Sequence, residues 1–193
     1  DISSMLVAEL ADPKENDFVI DVCAAPGGKS VHLAEKLHGT GMVEARDLTG
    51  YKVELIQENI ERHQLSNMCA VQKDATVLDE ASVGKADVVI ADLPCSGLGV
   101  MRKKTDIKYK MTLETEKELV VLQQKMSDTV CLYVKAGGIL LYSTCTMDKM
   151  ENEDNVAWFL EHHPEFELMK MQQIFPKETY GDGFFLAKLQ KKA

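Results

Sequence analysis

The chain has 193 residues, 45% of them hydrophobic and 27% charged, with 12 glycines and 5 prolines; this balance supports one well-buried soluble domain and excludes a disordered or fibrous chain. A net charge of −9 argues against a uniformly basic nucleic-acid binder, and no apolar run approaches the roughly 18 residues of a membrane span, so no membrane partner is expected. Five cysteines, none in a CxxC pair, read as reduced thiols rather than staples or metal ligands, no metal site is expected, and with no charged-then-apolar leader a cytoplasmic location follows.

Taken in order, the chain opens at Asp1 with its first methionine at Met5, which suggests a piece of something longer. Apolar, β-branched runs bounded by turn residues then recur at 18–23, 41–45, 69–71, 86–91 and 138–142. Between them, residues 31–37, 51–63 and 115–134 space apolar side chains three and four apart and read as helices. Strand alternating with helix predicts an α/β fold built of βαβ units around a mostly parallel sheet, covered on both faces. A helix over about 150–162 follows, with Asp148 and Glu151 at capping-box spacing, and 166–171 and 183–189 read as two closing strands. No internal repeat or second domain is visible, so residues 1–193 are read as one domain.

The stretch DVCAAPGGKS, beginning at Asp21, ends like a phosphate-binding loop. A GxxxxGK[ST] loop, however, needs glycine where Cys23 stands, and the stretch also fails GxGxxG. A P-loop ATPase keeps some support from the acidic strand ADVVIAD, and it would be stabilised by Mg-ATP. What survives both motifs is a strand, a tight glycine turn, a helix, and Asp47 nineteen positions after Gly28 at the end of the next strand. In nucleoside-binding βαβ units an acidic residue there takes the ribose hydroxyls, although Asp47 alone could be a solvated strand end. Pro26, Gly27 and Gly28 allow close backbone approach, and a helix N-terminus favours a carboxylate as readily as a phosphate. S-adenosyl-L-methionine offers both ribose and carboxylate. Asp74, after the third strand, is placed to meet the adenine side or is a plain turn residue.

Two further strands end in cysteine: DLPCS, carrying Asp92 and Cys95, and YSTCT, carrying Cys145. Ligands of open α/β sheets bind outside the carboxyl ends of strands, so neighbouring strands would turn both thiols to one pocket. Cys23, Cys69 and Cys131 lie inside their elements as small hydrophobes. The run MRKKTDIKYK sets Arg102, Lys103, Lys104, Lys108 and Lys110 against Asp106 alone, which is either a solvated loop or a polyanion contact.

Together, DVCAAPGGKS, ADLPCSGLGVMRKKTDIKYK, YSTCTMDKMENE and GDGFFLAKL resemble the RNA cytosine-C5 methyltransferases of the NOL1/NOP2/Sun family, and among them the bacterial Sun/Fmu ribosomal RNA enzymes. The likeness runs from end to end, with DISSMLVAEL resembling the segment before the first strand. It departs at Leu93, where alanine is common, and at Arg46 beside the ribose aspartate. The resemblance implies a Rossmann-like class I methyltransferase sheet of seven strands, mostly parallel with an antiparallel last strand. It implies transfer of a methyl group from S-adenosyl-L-methionine to cytosine C5 in RNA, with 16S ribosomal RNA the expected substrate, and an N-terminal RNA-binding domain outside this chain. It places the cofactor on Cys23, Ala24, Ala25, Pro26, Gly27, Gly28, Lys29, Asp47, Asp74 and Asp92. Cys145 is then the nucleophile that adds to C6, Cys95 assists release, Asp92 contacts the base near N3, Lys29 reaches toward both, and Arg102, Lys103, Lys104 and Lys108 line the RNA path. Spacing alone leaves open which cysteine attacks. A non-catalytic RNA-binding module would keep the fold and lose these groups.

Overall fold

The computed structural model describes residues 2–101, 112–176 and 181–193. The predicted RNA contacts Arg102, Lys103, Lys104 and Lys108 therefore lie outside the described residues. Helix α1 spans Ile2–Ala11 and strand β1 Phe18–Asp21, followed by α2 Gly28–Lys36, β2 Met42–Asp47, α3 Gly50–His63 and β3 Met68–Gln72. The second half runs β4 Ala86–Asp92, α4 Leu113–Val130, β5 Val134–Thr144, α5 Glu153–His162, β6 Phe166–Ile174 and β7 Phe184–Lys191.

All seven strands join one sheet in the order β3-β2-β1-β4-β5-β7-β6. Strands β1 to β5 pair in parallel, while β7 inserts antiparallel to both β5 and β6. Because side chains alternate across a strand, each strand feeds two cores. Val19, Val43, Val88, Ile90, Leu141 and Leu186 pack on one face with α1, α2 and α3. Ile20, Val89, Ala91, Leu140, Phe185 and Ala187 pack on the other with Met126 and Val130 of α4 and Phe159 of α5. Burial on both faces explains why residues 88–91 of β4 read as a continuous apolar run.

Two sequence expectations change. The helix predicted over 115–134 ends at Val130; a 3-10 turn at Cys131–Tyr133 follows, and Val134 already belongs to β5. The apolar periodicity ran on because Cys131 and Tyr133 of that turn are buried against the same core. Asp148 and Glu151 form no capping box. Helix α5 has Asn152 at its N-cap, and Glu151 is drawn inward to partners far off in sequence. The genuine capping box stands on α4, between Thr112 and Thr115. Arg46 turns away from the ligand side, donating to Glu44 and Ser82 with its guanidinium over the Tyr133 ring.

One glycine contact ties the end of the chain to the middle. The Gly99 N–H donates to the Cys145 carbonyl at 3.0 Å, and the Gly183 N–H donates to the Gly99 carbonyl at 2.9 Å. A Cβ on Gly99 would sit 2.2 Å from the Gly183 oxygen and 2.8 Å from the Cys145 oxygen. Gly99→Ala is therefore expected to lower stability by about 1–3 kcal/mol, as overpacking against backbone does, read as a shifted urea midpoint.

Candidate active site

Strands β4 and β5 run side by side with Asp92 opposite Ser143. Continuing both chains past their ends brings Cys95 and Cys145 to one level, with their sulfurs 3.2 Å apart. The Cys145 N–H points to the Cys95 sulfur at 3.3 Å. Contact with Cys145, then burial and the Glu151 carboxylate, hold the Cys95 thiol well above the usual range.

Beside the thiols stands an ion pair. Lys29 Nζ lies 2.7 Å from Asp92 Oδ2 and over the Phe184 ring, while Ser143 Oγ donates to Asp92 Oδ1 at 2.8 Å. Burial pushes the Lys29 ammonium down, but Asp92, Asp21 and Cys145 together outweigh it and keep the lysine charged. The same attraction stabilises a thiolate at Cys145. Asp21, fully buried beneath, accepts a 2.6 Å hydrogen bond from Ser30, and burial pushes its carboxyl up to about 7.

The glycine turn begins α2. Gly27 caps the helix at φ 111, a conformation L side chains rarely adopt, and packs against Ile56 of α3. The loop divides two hollows. A cleft of about 560 Å³ is lined by Cys23, Ala25, Asp47, Asp74, Asp92 and Pro94 among others. Ala24, Pro26, Gly28 and Lys29 line a second hollow, of about 540 Å³, with Ala25 between the two. Asp47 is nearly buried at the cleft wall, accepting from the Ala25 and Leu48 N–H groups and pairing with Lys52. Asp74 is held by the Thr76 N–H and hydroxyl, which lower its carboxyl. Leu93, the predicted departure, is buried and lines the cleft.

Cys23 lines the cleft, yet burial and three neighbouring carboxylates raise its thiol strongly, and burial pushes Cys131 up to about 12. Neither has a second sulfur at hand among the described residues. Sequence reasoning missed Asp21, Ser30, Gln123 and Glu151. Asp21 was visible as the acid that opens the quoted motif; the others carry no local signal. Among the described residues no helix is long and apolar enough to cross a membrane, and no three His, Cys, Asp or Glu converge as a metal site.

A family model described as 16S rRNA methyltransferase RsmB/F matches residues 8–190. The chain is 40% identical over 210 residues to the probable ribosomal RNA small subunit methyltransferase B of Bacillus subtilis (strain 168), covering 100% of this chain and 47% of that protein. It is 34% identical over 202 residues to the tRNA (cytosine(72)-C(5))-methyltransferase of Pyrococcus horikoshii, covering 98% of this chain and 51% of that protein. The structure of NSun6 from Pyrococcus horikoshii with SFG superposes with a TM-score of 0.90 at 32% identity, over 100% of this chain and 52% of that one. The chain thus spans about half the length of the relatives it matches. With the family model over nearly the whole chain and the motif cysteines at adjoining strand ends, this chain belongs to the RsmB/F family of ribosomal RNA methyltransferases.

Proposed function

We propose that this chain is a catalytic domain over residues 1–193 that transfers a methyl group from S-adenosylmethionine to C5 of a cytosine in RNA, with 16S ribosomal RNA as substrate and the cytoplasm as its place of work. The observation that carries the reading is the pair of sulfurs 3.2 Å apart beside the Lys29–Asp92 ion pair. The names of the relatives, which act on ribosomal and transfer RNA, support the substrate class.

The cleft fits the cofactor. Its donor set is a carboxylate at the wall, Asp47, with Asp74 across from it and an apolar floor of Val22, Leu93 and Met126 that suits a purine. Asp47 and Asp74 would hold the nucleoside, and the 23–28 loop with the first turn of α2 would hold the amino-acid end. When bound, S-adenosylmethionine supplies the methyl group.

Cytosine C5 is a poor nucleophile until addition at C6 converts the intact ring to an enamine. The Cys145 thiolate, stabilised by Lys29, makes that addition, while Asp92 is assigned to the base edge. Once the sulfur is bonded to carbon, the Cys145 hydrogen bond and charge no longer hold the Cys95 thiol up, and burial and Glu151 alone still raise it. Cys95 first releases its own proton to solvent and then, as a thiolate, takes the C5 proton; the C5–H electrons form the C5=C6 bond, and the C6–S bond breaks with its pair returning to Cys145. The basic run with Arg102, Lys103, Lys104 and Lys108 is assigned to RNA phosphates. Bisulfite sequencing of ribosomal RNA, with and without the gene, tests the substrate: one cytosine should lose protection in the deletion, and an unchanged pattern overturns the 16S assignment.

Asp47→Ala is expected to weaken S-adenosylmethionine binding by about 1–3 kcal/mol through loss of a charged hydrogen bond. Calorimetry without RNA checks it, and unchanged affinity removes Asp47 from the site.

A further inference from the structure

Behind Cys95 lies a set of buried polar groups that the chemistry above leaves unused. Glu151 is fully buried, and among the described residues no cation pairs with its carboxylate. It accepts from the Ser96 N–H at 3.0 Å and from Gln123 Nε2 at 2.8 Å. Gln123, also fully buried, donates from the same nitrogen to the Pro94 carbonyl at 2.9 Å. The backbone is therefore gripped on both sides of Cys95, at the residue before it and the residue after it.

The grip is itself braced. Asn155 donates to Gln123 Oε1 at 2.8 Å, which orients the amide, and the Tyr142 hydroxyl donates to the Glu151 carbonyl at 2.5 Å. Ser96 Oγ and Thr146 Oγ1 lie 2.7 Å apart, hooking the residue after Cys95 to the residue after Cys145. A buried carboxylate with no counter-charge among the described residues is a poor source of stability, and apolar side chains of the same volume would serve the core as well. What a hydrogen-bonded pair does better than an apolar one is fix a loop in one place.

We propose that Gln123 and Glu151 are positioning residues that hold the Cys95 loop against Cys145, and that they govern release of methylated RNA from the enzyme rather than methyl transfer. The inference rests on the covalent reading above. It predicts an asymmetry that a merely structural role lacks: loosening the clamp spares addition by Cys145, which sits on its own strand end, and impairs elimination by Cys95.

The experiment compares Gln123→Met, which keeps length and loses the two donated hydrogen bonds as well as the one accepted from Asn155, with Glu151→Gln, which keeps shape and one acceptor. Cys95→Ala is the reference. Each protein is given an unmodified small-subunit ribosomal RNA transcript and tritiated S-adenosylmethionine, and single-turnover methyl transfer, multiple turnover and denaturant-stable RNA–protein adduct are measured. For Gln123→Met, multiple turnover should fall roughly tenfold and labelled adduct accumulate while single-turnover transfer stays within about twofold, since small misplacements of a reacting group carry penalties of this order. Glu151→Gln should show the same pattern more weakly, and it carries the test if Gln123→Met fails to fold. Equal slowing of single and multiple turnover without adduct, in a background where Cys95→Ala does trap adduct, overturns the clamp and leaves the covalent reading intact. If Cys95→Ala itself traps none, the covalent reading falls and the clamp with it.

Discussion

Cys145→Ala is expected to abolish methyl transfer, by on the order of 10⁴-fold or more, because it removes the thiolate assigned to add to C6 and no enamine forms without that addition. Cys95→Ala is expected to behave differently. Addition and methyl transfer remain possible, but the group that takes the C5 proton is gone, so methylated RNA should stay bonded to Cys145 and survive denaturing electrophoresis. The assignment of roles rests on the motif match, and the ammonium of Lys29, which interacts with Cys145, would stabilise a thiolate there. If Cys145→Ala traps the adduct and Cys95→Ala abolishes turnover, the roles are exchanged. If both variants methylate at the unmodified rate, neither thiol is catalytic.

Asp21 should make the fold less stable as pH rises through neutrality. Its carboxyl ionises near the ordinary 3.8 when the chain is unfolded and at about 7 when folded, raised chiefly by burial and against the hydrogen bond from Ser30. The unfolded state therefore releases this proton first. The contribution is present below pH 3.8 and lost as pH climbs to about 7. Between pH 5 and pH 8 the loss from this one group comes to roughly 3 kcal/mol, an upper value. Asp21→Asn, which cannot ionise, should shrink the difference between urea denaturations at those two pH values. An unchanged difference would mean that Lys29 holds Asp21 ionised throughout.

The layering of this fold was legible because burial on both sheet faces writes itself into composition: β4 is uninterruptedly apolar over 88–91, and helices α2 and α3 show the spacing of a one-sided surface. The paired cysteines were legible for a topological reason, since strand ends that match in motif came from strands that are neighbours. Glu151 was misread because a carboxylate three residues after Asp148 imitates a cap, and nothing local reveals that its partners, Ser96 and Gln123, lie 55 and 28 residues away. Gln123 sits in α4 among exposed and half-buried residues, and only packing shows it to be the buried polar group of that turn. Hydrogen bonds between distant segments leave no period in the chain, which is why the support of the site escaped while the reacting groups did not.

The position of β7 has a consequence for how the molecule comes into being. Although last in sequence, β7 lies inside the sheet, with β5 on one side and β6 on the other, so β6 has no place in the sheet until β7 arrives. Synthesis proceeds from the N-terminus, and the first five strands can assemble while the remainder is still being made. Until then β5 offers an open edge of unpaired backbone groups. The hook from Gly183 to Gly99, and from Gly99 to the Cys145 carbonyl, closes only when that final hairpin docks. The nascent chain thus holds its fold's first half early and its reacting sulfurs in register last, and a shortfall of even the terminal strand would remove the latch of the active site rather than a tail.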